Sequence, residues 1–81
     1  MEILYIKQLR AARALLGWSQ QNLADNSDVP LPTIKRLEKG DGLVKGRSDN
    51  VWKIQECFDK NGIEFLSQDG KGLGVKFKNY I

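Results

Sequence analysis

Residues 3–16 contain neither glycine nor proline, and the apolar residues Ile6, Leu9, Ala12 and Leu16 recur three or four apart. That spacing predicts an amphipathic helix stopped by Gly17. Ser19 is a good N-cap for a second, shorter helix over residues 20–27, with Leu23 and Ala24 turned inward. Asp28-Val29-Pro30 breaks it, and a third helix carrying Ile34 and Leu37 ends at Gly40. Residues 41–47 hold Gly42 and Gly46 and read as a loop. Ser48 then caps a fourth helix, with Val51, Ile54, Gln55 and Phe58 along one stripe and Asn61-Gly62 as its stop. Beyond Gly62 the period changes from helical to alternating. Ile63-Glu64-Phe65-Leu66 and Val75-Lys76-Phe77-Lys78 place Ile63, Phe65, Val75 and Phe77 on one face, and turn formers fill the stretch between them. The predicted fold class is mainly α: a four-helix unit over residues 1–61, then a two-stranded β-hairpin over residues 62–81. A lone hairpin is marginal in water, so its apolar face must cover helices or meet another chain.

Eighty-one residues make one small domain, which buries only about 60–65% of the surface its unfolded chain exposes. The net charge of +3 matters mainly through its placement. Residues 1–47 hold eight Lys and Arg against five acids, whereas residues 48–81 hold five of each. A surplus so placed suits a polyanion-binding surface, and a solvated basic face suits it equally well.

The single cysteine, Cys57, excludes an internal disulfide and lies in an apolar helical register, where it reads as a small core residue. With no histidine either, a zinc site lacks ligands, and no side chain of ordinary pKa is available as a general base near neutrality. The Gly70-Lys71-Gly72-Leu73-Gly74 run lacks the spacing of a phosphate-binding loop. Neither an enzyme nor a cofactor is therefore expected. Lys7, Arg10 and Arg13 interrupt the N-terminal apolar residues, so no signal peptide or membrane span is expected, and an intracellular location follows, cytoplasmic in a bacterium.

Residues 10–40, RAARALLGWSQQNLADNSDVPLPTIKRLEKG, resemble the Cro/repressor-type helix-turn-helix of the XRE family. The features that match are Leu15-Leu16-Gly17-Trp18-Ser19-Gln20, Leu23-Ala24, Val29, Thr33-Ile34, Leu37-Glu38 and Gly40. Gly62-Ile63-Glu64-Phe65 and Gly72-Leu73-Gly74-Val75 resemble the tail of some small bacterial members. The resemblance implies a lambda-repressor-like domain over residues 1–61, and the hairpin of residues 62–81 is left with two options, a dimerisation element pairing between chains or a fold-back onto its own helices. Physical chemistry agrees: a small inner residue, Ala24, lets the next helix cross closely, and a short turn projects that helix toward a major groove about 12 Å wide. Two departures stand out. Asp28 occupies the turn position usually held by glycine, and it tolerates a left-handed conformation better than most residues. Pro30 replaces the usual polar N-cap, and Pro32 biases Leu31 away from the helical region, so the third helix is expected to start at Pro32.

By position in the motif, the resemblance implies a DNA-contacting set. Gln20 corresponds to a phosphate-anchoring glutamine, and Thr33 to a phosphate or groove-edge contact, although a local hydroxyl-to-backbone bond would serve Thr33 as well. Leu31 and Pro32 occupy base-reading positions and offer only apolar contact, such as to a thymine methyl. Arg36 is assigned the direct base contact and Lys35 a phosphate. Lys39, Lys45 and Arg47 flank the next loop as phosphate clamps, and Arg10 is a further phosphate candidate. Arg13 and Glu38 are assigned a partly buried structural salt bridge. Trp18 is placed between the first two helices. Trp52 lies beside the stripe of the fourth helix, either at a dimer contact with the hairpin or beneath its own hairpin. The whole reads as a sequence-specific double-stranded DNA-binding transcriptional regulator, a homodimeric repressor reading the major groove with residues 32–39. The alternative keeps the fold as a protein-interaction module, antitoxin-like and able to bind a toxin, with weak or no DNA affinity.

Overall fold

In the computed structural model, which describes residues 4–66 and 74–79, the chain runs α1 (Ile6–Leu16), α2 (Gln20–Ser27), α3 (Leu31–Leu37), α4 (Ser48–Lys60), β1 (Ile63–Leu66) and β2 (Gly74–Phe77). The mainly helical fold with a C-terminal antiparallel hairpin is the one the sequence predicts. The turn expected between the strands, at residues 67–73, lies outside the described residues.

Helix α1 begins later than its pattern suggests. Leu4 and Tyr5 are drawn into extended pairing with the loop after α3: Tyr5 bridges Leu43, the Val44 N–H donates to the Leu4 carbonyl (2.9 Å) and the Ile6 N–H donates to the Gly42 carbonyl (2.9 Å). This pairing satisfies the carbonyl of Leu4 while its side chain is buried. Gly17, at φ 68°, ends the helix. Helix α2 is capped reciprocally, since Ser19 Oγ accepts from the Asn22 N–H (3.0 Å) and Asn22 Oδ1 accepts from the Ser19 N–H (3.0 Å). Asp28 ends it in the left-handed region, at φ 64°.

Ser48 does not cap α4 as expected. Arg47 holds the N-cap position, and Ser48 is the first helical residue. Asp49 supplies the anion of the first turn and accepts the Asn50 N–H at 3.0 Å, which suits the positive end of the helix.

The core gathers one stripe from each helix: Leu9 and Ala12, Leu23, Val29 from the turn, Ile34 and Leu37, and Ile54 with Phe58. The hairpin closes over it. Ile63 pairs with Phe77 and Phe65 with Val75, so the alternating apolar face lies inward. Trp18 does not sit simply between the first two helices. Its ring stacks on Phe58 of α4 (centroids 6.0 Å), and Phe58 meets Phe65 of β1 edge-on (5.8 Å). An aromatic ladder thus runs from the α1–α2 corner into the hairpin.

One buried polar side chain anchors the sheet to the helices. Gln8 is 2% exposed; its Oε1 accepts from the Tyr5 N–H (3.1 Å), and its Nε2 donates to the carbonyls of Leu66 (3.0 Å) and Gly74 (3.2 Å). The hairpin therefore folds back on its own chain, held at its Leu66–Gly74 end by a residue of α1.

Candidate nucleic-acid interface

Helices α2 and α3 pack against each other with Ala24 of α2 buried in the core, and the left-handed Asp28 turns the chain between them. Helix α3 starts at Leu31, one residue before the predicted start. The Pro30 carbonyl accepts both the Thr33 and Ile34 N–H groups (3.0 Å each), which makes Pro30 the N-cap. Pro32 then falls in the first turn, where an N–H would have no partner within the helix, so its missing donor costs nothing there. The bias of a pre-proline residue against helix is overcome at Leu31, whose half-buried side chain packs on the core. Part of the surface assigned to base contact at Leu31 is thus already used inside the fold.

Pro32, Lys35, Arg36 and Lys39 are exposed, while Ile34, Leu37 and Glu38 are buried. Helical spacing puts Pro32, Lys35 and Arg36 on the side of α3 away from the core, and exposed Lys39 follows just past the helix end. Thr33 is half-buried, and its hydroxyl makes no hydrogen bond within the described residues. The helix ends at Leu37, short of the predicted Lys39, with Glu38 as its C-cap.

That end is clamped by α1. Arg13 donates from Nε to Glu38 Oε2 and from Nη2 to Oε1, both at 2.7 Å, and from Nη1 to the Trp18 carbonyl (3.0 Å). The Glu38 side chain is 4% exposed, so this is a bidentate pair at the edge of the core. Arg10, one turn earlier, donates from Nη2 to the carbonyls of Glu38 (2.5 Å) and Gly40 (2.9 Å). Those bonds close the C-terminus of α3 and engage Nη2 of a guanidinium that the sequence offered to phosphate, while Arg10 itself stays exposed. Gln20, in the first turn of α2, is half-buried, and its Nε2 donates to Glu38 Oε1 at 3.3 Å. The link from Gln20 to Glu38 was not foreseen, because no local pattern pairs residues 18 apart.

The loop after α3 is held against that helix. A Cβ built at Gly46 would lie 2.5 Å from Leu37 Cδ2, so the backbone there approaches α3 as closely as a glycine allows. Lys45 and Arg47, both exposed, flank this contact and are carried beside the end of α3. Arg47 Nε also lies 3.5 Å from Asp49 Oδ1, a solvent-facing pair of little energetic weight.

Trp52 is 53% exposed and borders a groove shared with Ser27, Asp28, Cys57 and Lys60. Among the described residues, no hairpin residue lines that groove. Cys57 is buried, and burial pushes its thiol above the ordinary value while nearby Lys60 pulls the other way. Among the described residues, no group of three or more His, Cys, Asp or Glu could hold a metal ion, and no helix is long and apolar enough to cross a membrane.

The arrangement is a short helix with a basic outer edge, a preceding helix packed across it, and a basic loop fastened alongside. A family profile described as helix-turn-helix matches residues 9–65. No curated protein matches the chain.

Proposed function

The chain belongs to the helix-turn-helix family of DNA-binding regulators, and on that premise we propose that it is a homodimeric, sequence-specific transcriptional repressor acting in the cytoplasm. The observation that carries this reading is the exposed edge of α3, where Lys35 and Arg36 face outward, with exposed Lys39 just past the helix end and the loop bearing Lys45 and Arg47 alongside. In this reading α3 enters the major groove, and Arg36 donates to a base edge, guanine being the best match for a guanidinium fork. Lys35, Lys39, Lys45 and Arg47 meet phosphates, Gln20 anchors the backbone from the first turn of α2, and Thr33 offers its hydroxyl at the groove edge. Pro32 and the exposed part of Leu31 give apolar contact at the start of α3.

Dimerisation is assigned to the hairpin unit of residues 62–81. A two-stranded sheet has outer backbone edges that a second copy can pair with. Two copies of α3 about 34 Å apart would read half-sites one helical turn apart and raise both affinity and specificity.

Selection from random duplex DNA at two salt concentrations tests the proposal. The expected result is a palindromic motif with binding that falls steeply with salt. Salt-sensitive binding without a motif would refute sequence-specific reading. Absence of binding at low salt would refute DNA binding and leave the protein-interaction reading.

A further inference from the structure

The cluster joining Arg13, Gln20 and Glu38 connects three helices, and one of its members is the proposed phosphate anchor. Arg13 engages both oxygens of the buried Glu38 carboxylate, and Gln20 Nε2 approaches Oε1 at 3.3 Å. A carboxamide has two dissimilar ends, an amino group that only donates and an oxygen that only accepts. On an unconstrained side chain either end can face a given point. A carboxylate accepts only, so beside Glu38 the amino end of Gln20 must turn inward toward it. That group has two hydrogens: one points to Glu38 and the other remains for a second acceptor. Phosphate oxygens are acceptors of that kind. Glu38 is also the C-cap of α3, and Arg10 ties its carbonyl to α1.

We infer that Glu38 is a positioning residue for DNA engagement: its carboxylate presets the Gln20 carboxamide as a phosphate donor and ties that anchor to the end of α3. The backbone anchor and the reading helix then meet the duplex in one fixed relation. This inference rests on the DNA-binding reading above.

A double-mutant cycle on DNA affinity tests it in the full-length chain, using Glu38→Gln and Gln20→Met singly and together on a duplex recovered by selection. A glutamine at position 38 offers one acceptor oxygen to the three donors now served by the carboxylate. With Gln20 present, Glu38→Gln should weaken binding about fivefold, the scale of one hydrogen bond. With methionine at position 20, the same change should cost less than about twofold, because the contact it orients is gone. Equal losses in both backgrounds would make Glu38 a purely structural residue and overturn the inference.

Glu38→Gln also weakens the Arg13 pair, so a second measurement uses the unmodified protein. The Gln20 side-chain NH2 should be ordered by NMR relaxation in the free protein and should keep that order in the complex. A freely rotating carboxamide in the free protein overturns the inference even if DNA binding is strong. Failure of the unmodified protein to bind any duplex removes the DNA-binding reading itself, and the inference with it.

Discussion

Gln8 offers the sharpest test of how the hairpin is held. Gln8→Met keeps nearly the same length and volume and removes every polar atom of the side chain. Two carbonyls, of Leu66 and Gly74, lose a donor, and the Tyr5 N–H loses its acceptor. Each such bond contributes about 1 kcal/mol net, and water reaches these part-buried groups well enough that the full penalty of an orphaned group is not expected. The expected loss is therefore roughly 2–3 kcal/mol, against a total stability of about 4–12 kcal/mol for a chain this size. For a domain of this length that lowers Tm by about 10–20 °C. Thermal and urea unfolding would be followed in parallel by far-ultraviolet circular dichroism and, in a Trp52→Phe background, by the fluorescence of Trp18, which stacks on Phe58. Because Ile63 and Phe65 pack into the same core as the helices, both probes should shift together in a single transition. A loss below about 0.5 kcal/mol would refute the bonding assigned to Gln8, since surface changes commonly cost that much. Faster amide exchange confined to residues 63–66 and 74–77, with the helices unchanged, would refute the idea that hairpin and helices form one cooperative unit.

Other outcomes can be checked alongside. Gly46→Ala should destabilise the fold by about 1–2 kcal/mol in urea, because its new Cβ meets the buried Leu37 side chain; an unchanged midpoint would show that the loop moves freely off α3. Arg36→Ala should relax preference at one base-pair position by about 1–3 kcal/mol, whereas Lys45→Ala should weaken all duplexes alike and lower the salt slope by about one unit, both read by titration at several salt concentrations. Cys57 carries a raised thiol value when folded, so the folded state holds its proton more tightly than the unfolded chain, and its contribution is complete below the ordinary thiol value of 9.0 and declines above it. The stability of the unmodified protein relative to Cys57→Ala should accordingly stay level up to about pH 8 and fall as the pH rises past 9.0; a difference that stays flat above that value would refute this account.

Much of the architecture is legible in residue order because its causes are local. The stripe of Leu9 and Ala12, the Ser19 cap, the break at Asp28 and the alternation of Ile63, Phe65, Val75 and Phe77 each act over a few residues. Element boundaries failed where a distant segment intervened. Helix α1 starts at Ile6 because Leu4 and Tyr5 pair with a loop nearly forty residues away, a separation that appears in no local pattern. Helix α3 starts at Leu31 because burial of that side chain outweighs the influence of Pro32 on its backbone. The candidate interface divides in the same way. That Lys35 and Arg36 lie outward follows from helical spacing. That Arg10 Nη2 meets the carbonyls of Glu38 and Gly40, and that Gln20 leans on Glu38, follows only from how the helices dock.

The sequence by itself determined which segments are helix or strand, which faces are apolar and where the basic surplus lies, since propensity, capping and periodicity are properties of neighbours. The tertiary structure alone decided the partners of the polar side chains. A buried donor must find an acceptor wherever the packed backbone happens to bring one, and for Gln8 that acceptor lies 58 and 66 residues along the chain.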